Sequence, residues 1–267
     1  DVSSLSSELI IDLQSADTNF VSFGNNKPDI NIAIEGTKKL FLNGDLKTNS
    51  NINAVFSGEI HTNSYNIECE VFSSLTSIAR TIDFASSSIK LKSFEINGNS
   101  LSLISNNANL IFDNHSEYLY NTGSSGFTFS EISIENNGNI FIESDLDIDS
   151  LKLSAGSSFL IKQAKTVSFN GIDANGNCGE YINIRAYCDD DKYVWPNENC
   201  VYNMPVMQSS SAVTAEFIKT GFVKAQGASF TANNSFAQGE APGWTINQSF
   251  SNDTLYWIGN TGNWNNY

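Results

Sequence analysis

The feature that most constrains the fold of this chain is an alternation of apolar and polar residues, repeated in short bursts along most of its length. The clearest bursts are "INIAIEG" (30–36), "KLFLNGDL" (39–46), "SFEINGNSLSLI" (93–104), "EISIENNGNIFIESDLDID" (131–149) and "YINIRAY" (181–187). Because successive side chains of a strand point to opposite faces, each burst predicts a strand with one buried and one solvated face. The best helical segment, 4–17, fits a strand equally well, so the sequence predicts an all-β fold.

The turns between the bursts leave two all-β architectures open. Asn-Gly pairs at positions 43, 97, 137, 170 and 175 are typical of hairpin turns and would favour an antiparallel β-sandwich. The bursts, however, are only three to six residues long and follow one another after one to four polar residues. In addition, "FEINGNSLSLI" (94–104) is echoed by "ISIENNGNIFI" (132–142), which indicates two coils of about 19 to 20 residues each. We therefore predict a right-handed parallel β-helix, with the sandwich as the alternative.

The β-helix also explains the polar composition. The chain contains 37 Ser and 35 Asn residues, which favour turns and ladders over helix interiors. In stacked coils, apolar side chains such as Ile96 and Ile134 point inward, while Ser and Asn stack at the corners and satisfy backbone groups. We therefore expect an apolar interior bounded by polar corners.

The charge of the chain excludes several classes of partner. The net charge is −15 at pH 7, with only two arginines, so the surface would repel the phosphates of nucleic acids and of anionic membranes. No run of about 18 apolar residues occurs, so we expect no membrane insertion. Cations such as Ca²⁺ and neutral glycans remain admissible partners.

Four cysteines bear on the cellular compartment. Cys188 and Cys200 bracket the acidic segment "CDDDKYVWPNENC", and we predict that a disulfide closes this loop, among three possible connectivities. Such a bond indicates an oxidising, extracellular setting. No CxxC pair exists, which argues against a zinc site, and Cys69 is expected to be a buried thiol.

Two acidic segments are candidate calcium sites. The first comprises Glu143, Asp145, Asp147 and Asp149, which alternate with other residues and are expected to share one strand face. The second comprises Asp189, Asp190 and Asp191 in the cysteine-bounded loop. The competing interpretation in both cases is a solvated acidic surface without a specific ion.

Aromatic side chains are candidates for stacking on sugars, whereas no catalytic set is found. The candidates for ligand binding are Tyr193 and Trp195 in the acidic loop, with Tyr118 and Tyr120 as a second pair. There is no Gly-x-Ser-x-Gly or HExxH motif, and His61 and His115 are expected to be surface residues. Arg80 and Arg185 are expected to have structural roles, so we predict that the chain is not an enzyme.

Several stretches, in the correct order, resemble repeat modules of giant surface proteins from gliding and other Bacteroidota. They are "ARTIDFASSSIKLK" (79–92), "ANGNCGEYINIRA" (174–186), "FIKTGFVKAQGASFTANNSFAQGEAPGWTI" (217–246) and "LYWIGNTGNW" (255–264). The segment 255–264 is similar to the sequence that opens the next module in such proteins. The resemblance therefore predicts one β-helix module over 1–247 and the start of a second module over 248–267. The cysteine-bounded loop departs from the usual pattern of these modules.

The resemblance implies export through the type IX secretion pathway, display on the cell surface, and a role in adhesion or gliding motility. Its expected partners are neighbouring modules of the same polypeptide, the secretion and anchoring machinery, and surface glycans. The resemblance implies no catalytic residues in this chain. Three functions therefore remain open: a structural stalk or adhesin module, which we favour, a carbohydrate-binding module, and a polysaccharide-cleaving enzyme.

Overall fold

The structure, a computed structural model, describes residues 8–14, 18–22, 27–113, 118–123, 126–188 and 203–248. These residues form 28 strands in four sheets, and every hydrogen-bonded pair of strands runs parallel. Among these residues there is no helix long and apolar enough to cross a membrane. The all-β prediction is confirmed, and the antiparallel sandwich is excluded because its strands would pair antiparallel.

The eleven-stranded sheet, called the long sheet below, contains one strand from each coil. Its eleven strands, in spatial order, are β1 (Glu8–Leu13), β3 (Asn31–Gly36), β6 (Ile52–Phe56), β9 (Val71–Ser74), β12 (Ser93–Ile96), β15 (Tyr118–Asn121), β17 (Asn139–Ile142), β19 (Ser158–Lys162), β21 (Ile182–Tyr187), β24 (Ile218–Gly221) and β27 (Phe236–Ala237). The spatial order follows the chain order with other strands omitted, so the chain returns to this sheet once per coil.

The remaining strands complete the coils. The five-stranded sheet contains β2 (Thr18–Val21), β4 (Lys39–Leu42), β7 (Glu59–His61), β10 (Arg80–Asp83) and β13 (Leu101–Ile104). The nine-stranded sheet contains β5 (Leu46–Lys47), β8 (Ile67–Glu68), β11 (Ser88–Leu91), β14 (Asn109–Asp113), β16 (Phe127–Glu135), β18 (Leu146–Leu153), β20 (Thr166–Ala174), β22 (Val206–Ser209) and β25 (Lys224–Gly227). The three-stranded sheet contains β23 (Val213–Glu216), β26 (Phe230–Asn233) and β28 (Trp244–Asn247).

The strands follow one another as the sides of a solenoid of about ten turns. From β3 to β14, each coil contributes one strand to the long, the five-stranded and the nine-stranded sheet in turn. From β16 to β20, one long strand replaces the second and third sides. In the middle of these long strands the pairing register skips Ser130, Asp149 and Asn170.

The interior of the solenoid is a ladder of apolar side chains. In the long sheet, one unbroken series of register partners, each at most 1 % exposed, runs through Ile32, Ile52, Phe72, Phe94, Leu119, Ile142 and Ile161. Phe72 and Phe94 stack with ring centroids 5.6 Å apart. At about 1.5 to 3 kcal/mol for each fully buried large apolar side chain, this series is a major source of stability.

Polar side chains at the corners satisfy backbone groups, as the sequence predicts. Ser74 Oγ donates to the carbonyl oxygen of Ala54 at 2.8 Å. Asn121 Oδ1 accepts from the backbone nitrogens of Gly98 and Gly123, both at 2.7 Å. Because these side chains replace water as partners of peptide groups, the backbone groups that they bind can be buried without losing a hydrogen bond.

Two details of the sequence prediction need correction. The echo between 94–104 and 132–142 does not relate two coils, because Phe94 pairs with Leu119 in the long sheet whereas Ile132 lies in the nine-stranded sheet. The match arises because strands on every side alternate in the same way. Coils also vary in length: Ile52 pairs with Phe72, 20 residues on, and Phe72 with Phe94, 22 residues on.

We expect Ile96→Asp and Ile134→Asp each to abolish folding. Both side chains are 1 % exposed, so each aspartate would place an unpaired charge in the apolar interior. The expected loss exceeds about 4 kcal/mol of unfolding free energy, measured by far-UV circular dichroism and thermal melting. Ser102→Asp is the matched control, because it adds the same side chain at an exposed position of the coil that contains Ile96. Parent-like melting of either isoleucine variant would contradict the inward assignment.

Candidate functional site

A cleft lies on the outer face of the long sheet around β15. Glu95 of β12 is the register partner of Tyr120 in β15. On the opposite side of β15, the backbone nitrogen of Glu143 donates to the carbonyl oxygen of Leu119 at 3.0 Å, which sets Glu143 beside Tyr120. Together with Tyr118, two positions before Tyr120 on the same face, these side chains line a cleft of about 320 Å³. We call it the aromatic cleft: Glu95, Tyr118, Tyr120 and Glu143.

Neighbouring coils hold two of these side chains in place. The ring of Tyr118 stacks on that of Phe141, with centroids 5.4 Å apart and an interplanar angle of 29°. Glu143 Oε2 lies 3.4 Å from Lys162 Nζ, and the Glu143 side chain is only 13 % exposed. Such contacts fix the geometry of the cleft before any ligand arrives, which lowers the entropic cost of binding.

A second cluster surrounds His61 on the outer face of the five-stranded sheet. The imidazole stacks on Phe41, with centroids 4.7 Å apart and rings 9° from parallel. Its Nε2 lies 2.8 Å from Glu59 Oε2, and its Nδ1 lies 3.2 Å from Asp83 Oδ2. Hydrogen bonding to His61, with a further contribution from Lys39, holds the pKa of Glu59 below its usual value.

Sequence analysis missed this cluster because its members are not neighbours along the chain. Asp83 is 22 residues from His61 and becomes its neighbour only through coil stacking. No motif in the sequence marks the cluster; it follows from the coil length, which only the register of the strands provides. Because His61 lies between Glu59 of its own strand and Asp83 of the next coil, the cluster connects neighbouring coils. His115 lies outside the described residues.

The four carboxylates of the first acidic segment do not share a strand face. β17 ends at Ile142 and β18 begins at Leu146, so Glu143 and Asp145 lie in the connection between these strands. Sequence alternation continues through this connection although the strand does not, which explains the wrong prediction.

These carboxylates bind different groups of the next coil. Asp145 Oδ1 accepts from the backbone nitrogen of Thr166 at 2.8 Å, and Asp149 Oδ1 accepts from Asn170 Nδ2 at 3.0 Å. Glu143 pairs with Lys162, whereas Asp147 is exposed in β18. The segment therefore joins coils through separate contacts.

Calcium binding stays a prediction. Within the described ranges, no three His, Cys, Asp or Glu side chains come together in a group that could hold a metal ion. Asp189, Asp190 and Asp191 lie outside those ranges, as do the candidate sugar-stacking residues Tyr193 and Trp195.

The cysteines are partly described. Cys69 is a buried free thiol, as predicted, and burial raises its pKa. Cys178 is free and exposed. Cys188 directly follows β21, but Cys200 lies outside the described residues, so the Cys188–Cys200 disulfide and the loop that it would close stay predictions.

Arg80 is a brace at a coil edge, as the sequence predicts. Its side chain is buried, with the residue 4 % exposed. Nε donates to Ser74 Oγ at 2.8 Å, and Nη2 donates to the carbonyl oxygens of Ser74 at 2.6 Å and Asn97 at 2.9 Å. Nη1 donates to the carbonyl oxygens of Thr76 and Ile78 at 2.8 and 3.0 Å. The guanidinium thus binds backbone of its own coil and of the next one, which suits a structural role.

Burial lowers the pKa of Arg185, which donates to Asn183 within β21 at 2.9 Å.

Lysines on the outer faces pair with carboxylates of other coils. The lysine pairs are Lys27–Glu68 (2.9 Å), Lys39–Glu59 (2.9 Å), Lys90–Asp113 (2.7 Å), Lys152–Glu131 (2.7 Å) and Lys92–Glu70. These contacts relieve repulsion between stacked acidic coils, although each exposed pair contributes only about 0 to 1 kcal/mol.

The fold and these surfaces define a class of protein: a parallel β-solenoid that carries an aromatic cleft on one side. Comparison with protein-family models, with curated protein sequences and with solved structures finds no match for the chain.

We expect Arg80→Met to destabilise the protein by about 3 kcal/mol or more, because the buried carbonyl groups around the guanidinium would lose their donor. Lys92→Met is the matched control, because it removes a cation from an exposed ion pair and should cost less than about 1 kcal/mol. Chemical denaturation measures both. Equal effects of the two substitutions would contradict the bracing role of Arg80.

The Lys90–Asp113 pair should contribute to stability over a defined pH window. The hydrogen bond from Lys90, with a second one from Asn136, lowers the pKa of Asp113 below its usual value of 3.8. The contribution of this carboxylate is therefore present above pH 3.8 and is lost as the pH falls through the lower folded pKa. Asp113 in turn raises the pKa of Lys90, whose contribution is present below pH 10.5 and is lost as the pH rises through the higher folded pKa.

We expect Asp113→Asn to lower the unfolding free energy at pH 7 by at most about 1 kcal/mol. The decrease of the unfolding free energy on acidification should also be smaller in this variant than in the parent. The new amide oxygen can still accept from Asn136, so mainly the charge is lost. Asp147→Asn is the control, because that exposed carboxylate forms no ion pair with another described residue. Denaturation curves from pH 2 to 7 measure the effect, and identical curves for parent and Asp113→Asn would refute it.

Proposed function

We propose that this chain is a structural stalk or adhesin module of a large secreted protein on the bacterial cell surface, with a role in adhesion or gliding motility and no catalytic activity. The observation that carries the proposal is the unbroken parallel ladder from β1 to β27. A spacer needs length and stiffness along one axis, and stacked coils supply both.

The dimensions of the long sheet support a spacer. Eleven strands separated by about 4.8 Å give a ladder roughly 48 Å long. Bending this ladder would break hydrogen bonds between coils and open the close-packed interior, so deformation has a high energetic cost. The buried brace formed by Arg80 and the ion pairs on the outer surface also connect neighbouring coils and add resistance.

The end strands of the described sheet favour assembly in tandem. β1 and β27 each pair with one strand of the long sheet, which leaves one edge of each uncovered by the described residues. Uncovered edges bind further strands, so a neighbouring module is a suitable cover. Near one end, the buried Trp244 packs on Phe230 with ring centroids 5.1 Å apart, which would give a firm surface for a following coil.

The resemblance to repeat modules of type IX-secreted surface proteins of Bacteroidota adds the cellular setting. Its stretches correspond to consecutive parts of the solenoid: 79–92 contains β10 and β11, 174–186 leads into β21, and 217–246 contains β24 to β27. Export and surface display agree with the acidic composition and with the predicted disulfide between Cys188 and Cys200. The proposed partners are neighbouring modules and the secretion and anchoring machinery.

The stalk proposal predicts that length adds up with copy number. Two copies of residues 1–267 in one polypeptide should increase the maximum dimension in small-angle scattering by about 50 Å over a single copy. An increase below about half that value would mean that the copies fold beside each other, which contradicts a spacer. The single-copy protein should release no reducing ends or unsaturated products from neutral and acidic polysaccharides; release would contradict the non-catalytic part.

A further inference from the structure

We propose that the aromatic cleft binds a neutral saccharide. This inference gives the module a ligand and goes beyond the stalk function, because a saccharide would bind the side of the solenoid and not its ends. It concerns only described residues of β12 and β15 and the position directly after β17.

The cleft combines two kinds of surface that a sugar ring requires. A pyranose has faces of C–H groups and an edge of hydroxyl groups. Tyr118 and Tyr120 stand about 7 Å apart on one strand face, so their rings offer adjacent apolar surfaces for C–H groups. Glu95 and Glu143 flank Tyr120 on the two neighbouring coils, and their carboxylates can accept short, charge-assisted hydrogen bonds from hydroxyl groups.

The size and rigidity of the cleft suit a small part of a glycan. Its volume of about 320 Å³ is at the lower end of the range for small-molecule sites, which is enough for a sugar unit but not for a folded partner. Tyr118 is held by Phe141, Glu143 by Lys162, and Glu95 by a hydrogen bond from Ser93 Oγ at 2.9 Å. These contacts leave little rearrangement for the ligand to induce.

The local charge favours a neutral ligand. Two carboxylates line the cleft, and the ammonium group of Lys162 compensates one of them, so an anionic uronic acid would be repelled. A cation would be attracted to Glu95 and to the ring faces, but Glu143 is already engaged by Lys162. Hydroxyl groups can use both carboxylates without displacing that ion pair.

Isothermal titration of the 267-residue chain tests the proposal. The neutral probes are cellohexaose, mannohexaose, xylohexaose and laminarihexaose, with hexagalacturonate as the anionic probe and the chitosan hexamer as the cationic one. We expect at least one neutral probe to bind with a dissociation constant of about 1 mM or lower, and both charged probes to bind more weakly.

Variants connect the binding to the cleft. Tyr120→Ala should weaken binding about tenfold, and Glu95→Gln and Glu143→Gln about threefold to tenfold each. Tyr65→Ala is the matched control, because it removes a 36 % exposed tyrosine that lies between β7 and β8 of an earlier coil, and it should leave affinity unchanged. Melting temperatures establish whether each variant folds. If Tyr120→Ala does not fold, the near-isosteric Glu95→Gln and Glu143→Gln variants still test the cleft.

Three outcomes would overturn the proposal: no binding of any neutral probe, stronger binding of a charged probe than of every neutral one, or parent-like affinity in folded Tyr120→Ala, Glu95→Gln and Glu143→Gln. None of these outcomes bears on the additive length of tandem copies, so the two proposals fail separately.

Discussion

The vertical alignment of apolar side chains inside the solenoid is the interaction on which the rest of the structure depends. Ile52, Phe72 and Phe94 lie above one another because their strands pair in register, and the register is favoured because it buries these side chains. A shift by one residue would turn every inward side chain to solvent. Burial and backbone pairing therefore select the same arrangement, and neither would suffice alone.

The same register organises the outer surface into columns that run along the solenoid axis. The closest outward neighbours of a side chain lie on the coils before and after it. Tyr120, for example, lies between Glu95 and Glu143. In several columns, a charged side chain pairs with an opposite charge or an amide of the next coil, as Lys90–Asp113 and Asp149–Asn170 do. The aromatic cleft differs because carboxylates there flank aromatic rings, which leaves acceptors next to apolar faces.

Sequence analysis predicts which side chains of a single strand point inward. It misses the contacts that depend on how the coils stack. Alternation is sufficient to place Ile96 and Ile134 inside, and composition is sufficient to expect Ser and Asn side chains at satisfied corners, of which Ser74 and Asn121 are examples. Neither gives the number of residues per coil. Without that number, the partner of Phe94 could not be chosen among many similar strands.

The candidate site depended on the same missing number. The sequence indicates Tyr118 and Tyr120 as possible sugar-stacking residues because they are aromatic side chains in a polar segment, but the two glutamates around them belong to other coils. The four carboxylates from Glu143 to Asp149 were grouped because they alternate in sequence, although the strand is interrupted between Ile142 and Leu146. Local periodicity identifies the face of a residue within one strand, and only the register identifies its neighbours.

The unequal coil lengths have a consequence for how such a protein can diversify. Between β21 and β24 the ladder continues from Ile184 to Thr220 although 36 residues separate these partners, compared with 20 between Ile52 and Phe72. The difference in length falls at the corner between the end of β21 at Tyr187 and the start of β22 at Val206, and the pairing of β21 with β19 and with β24 stays in register. Foreign peptides grafted at such a corner should be displayed on an unaltered scaffold, so new recognition surfaces can arise by insertion while the interior is inherited intact.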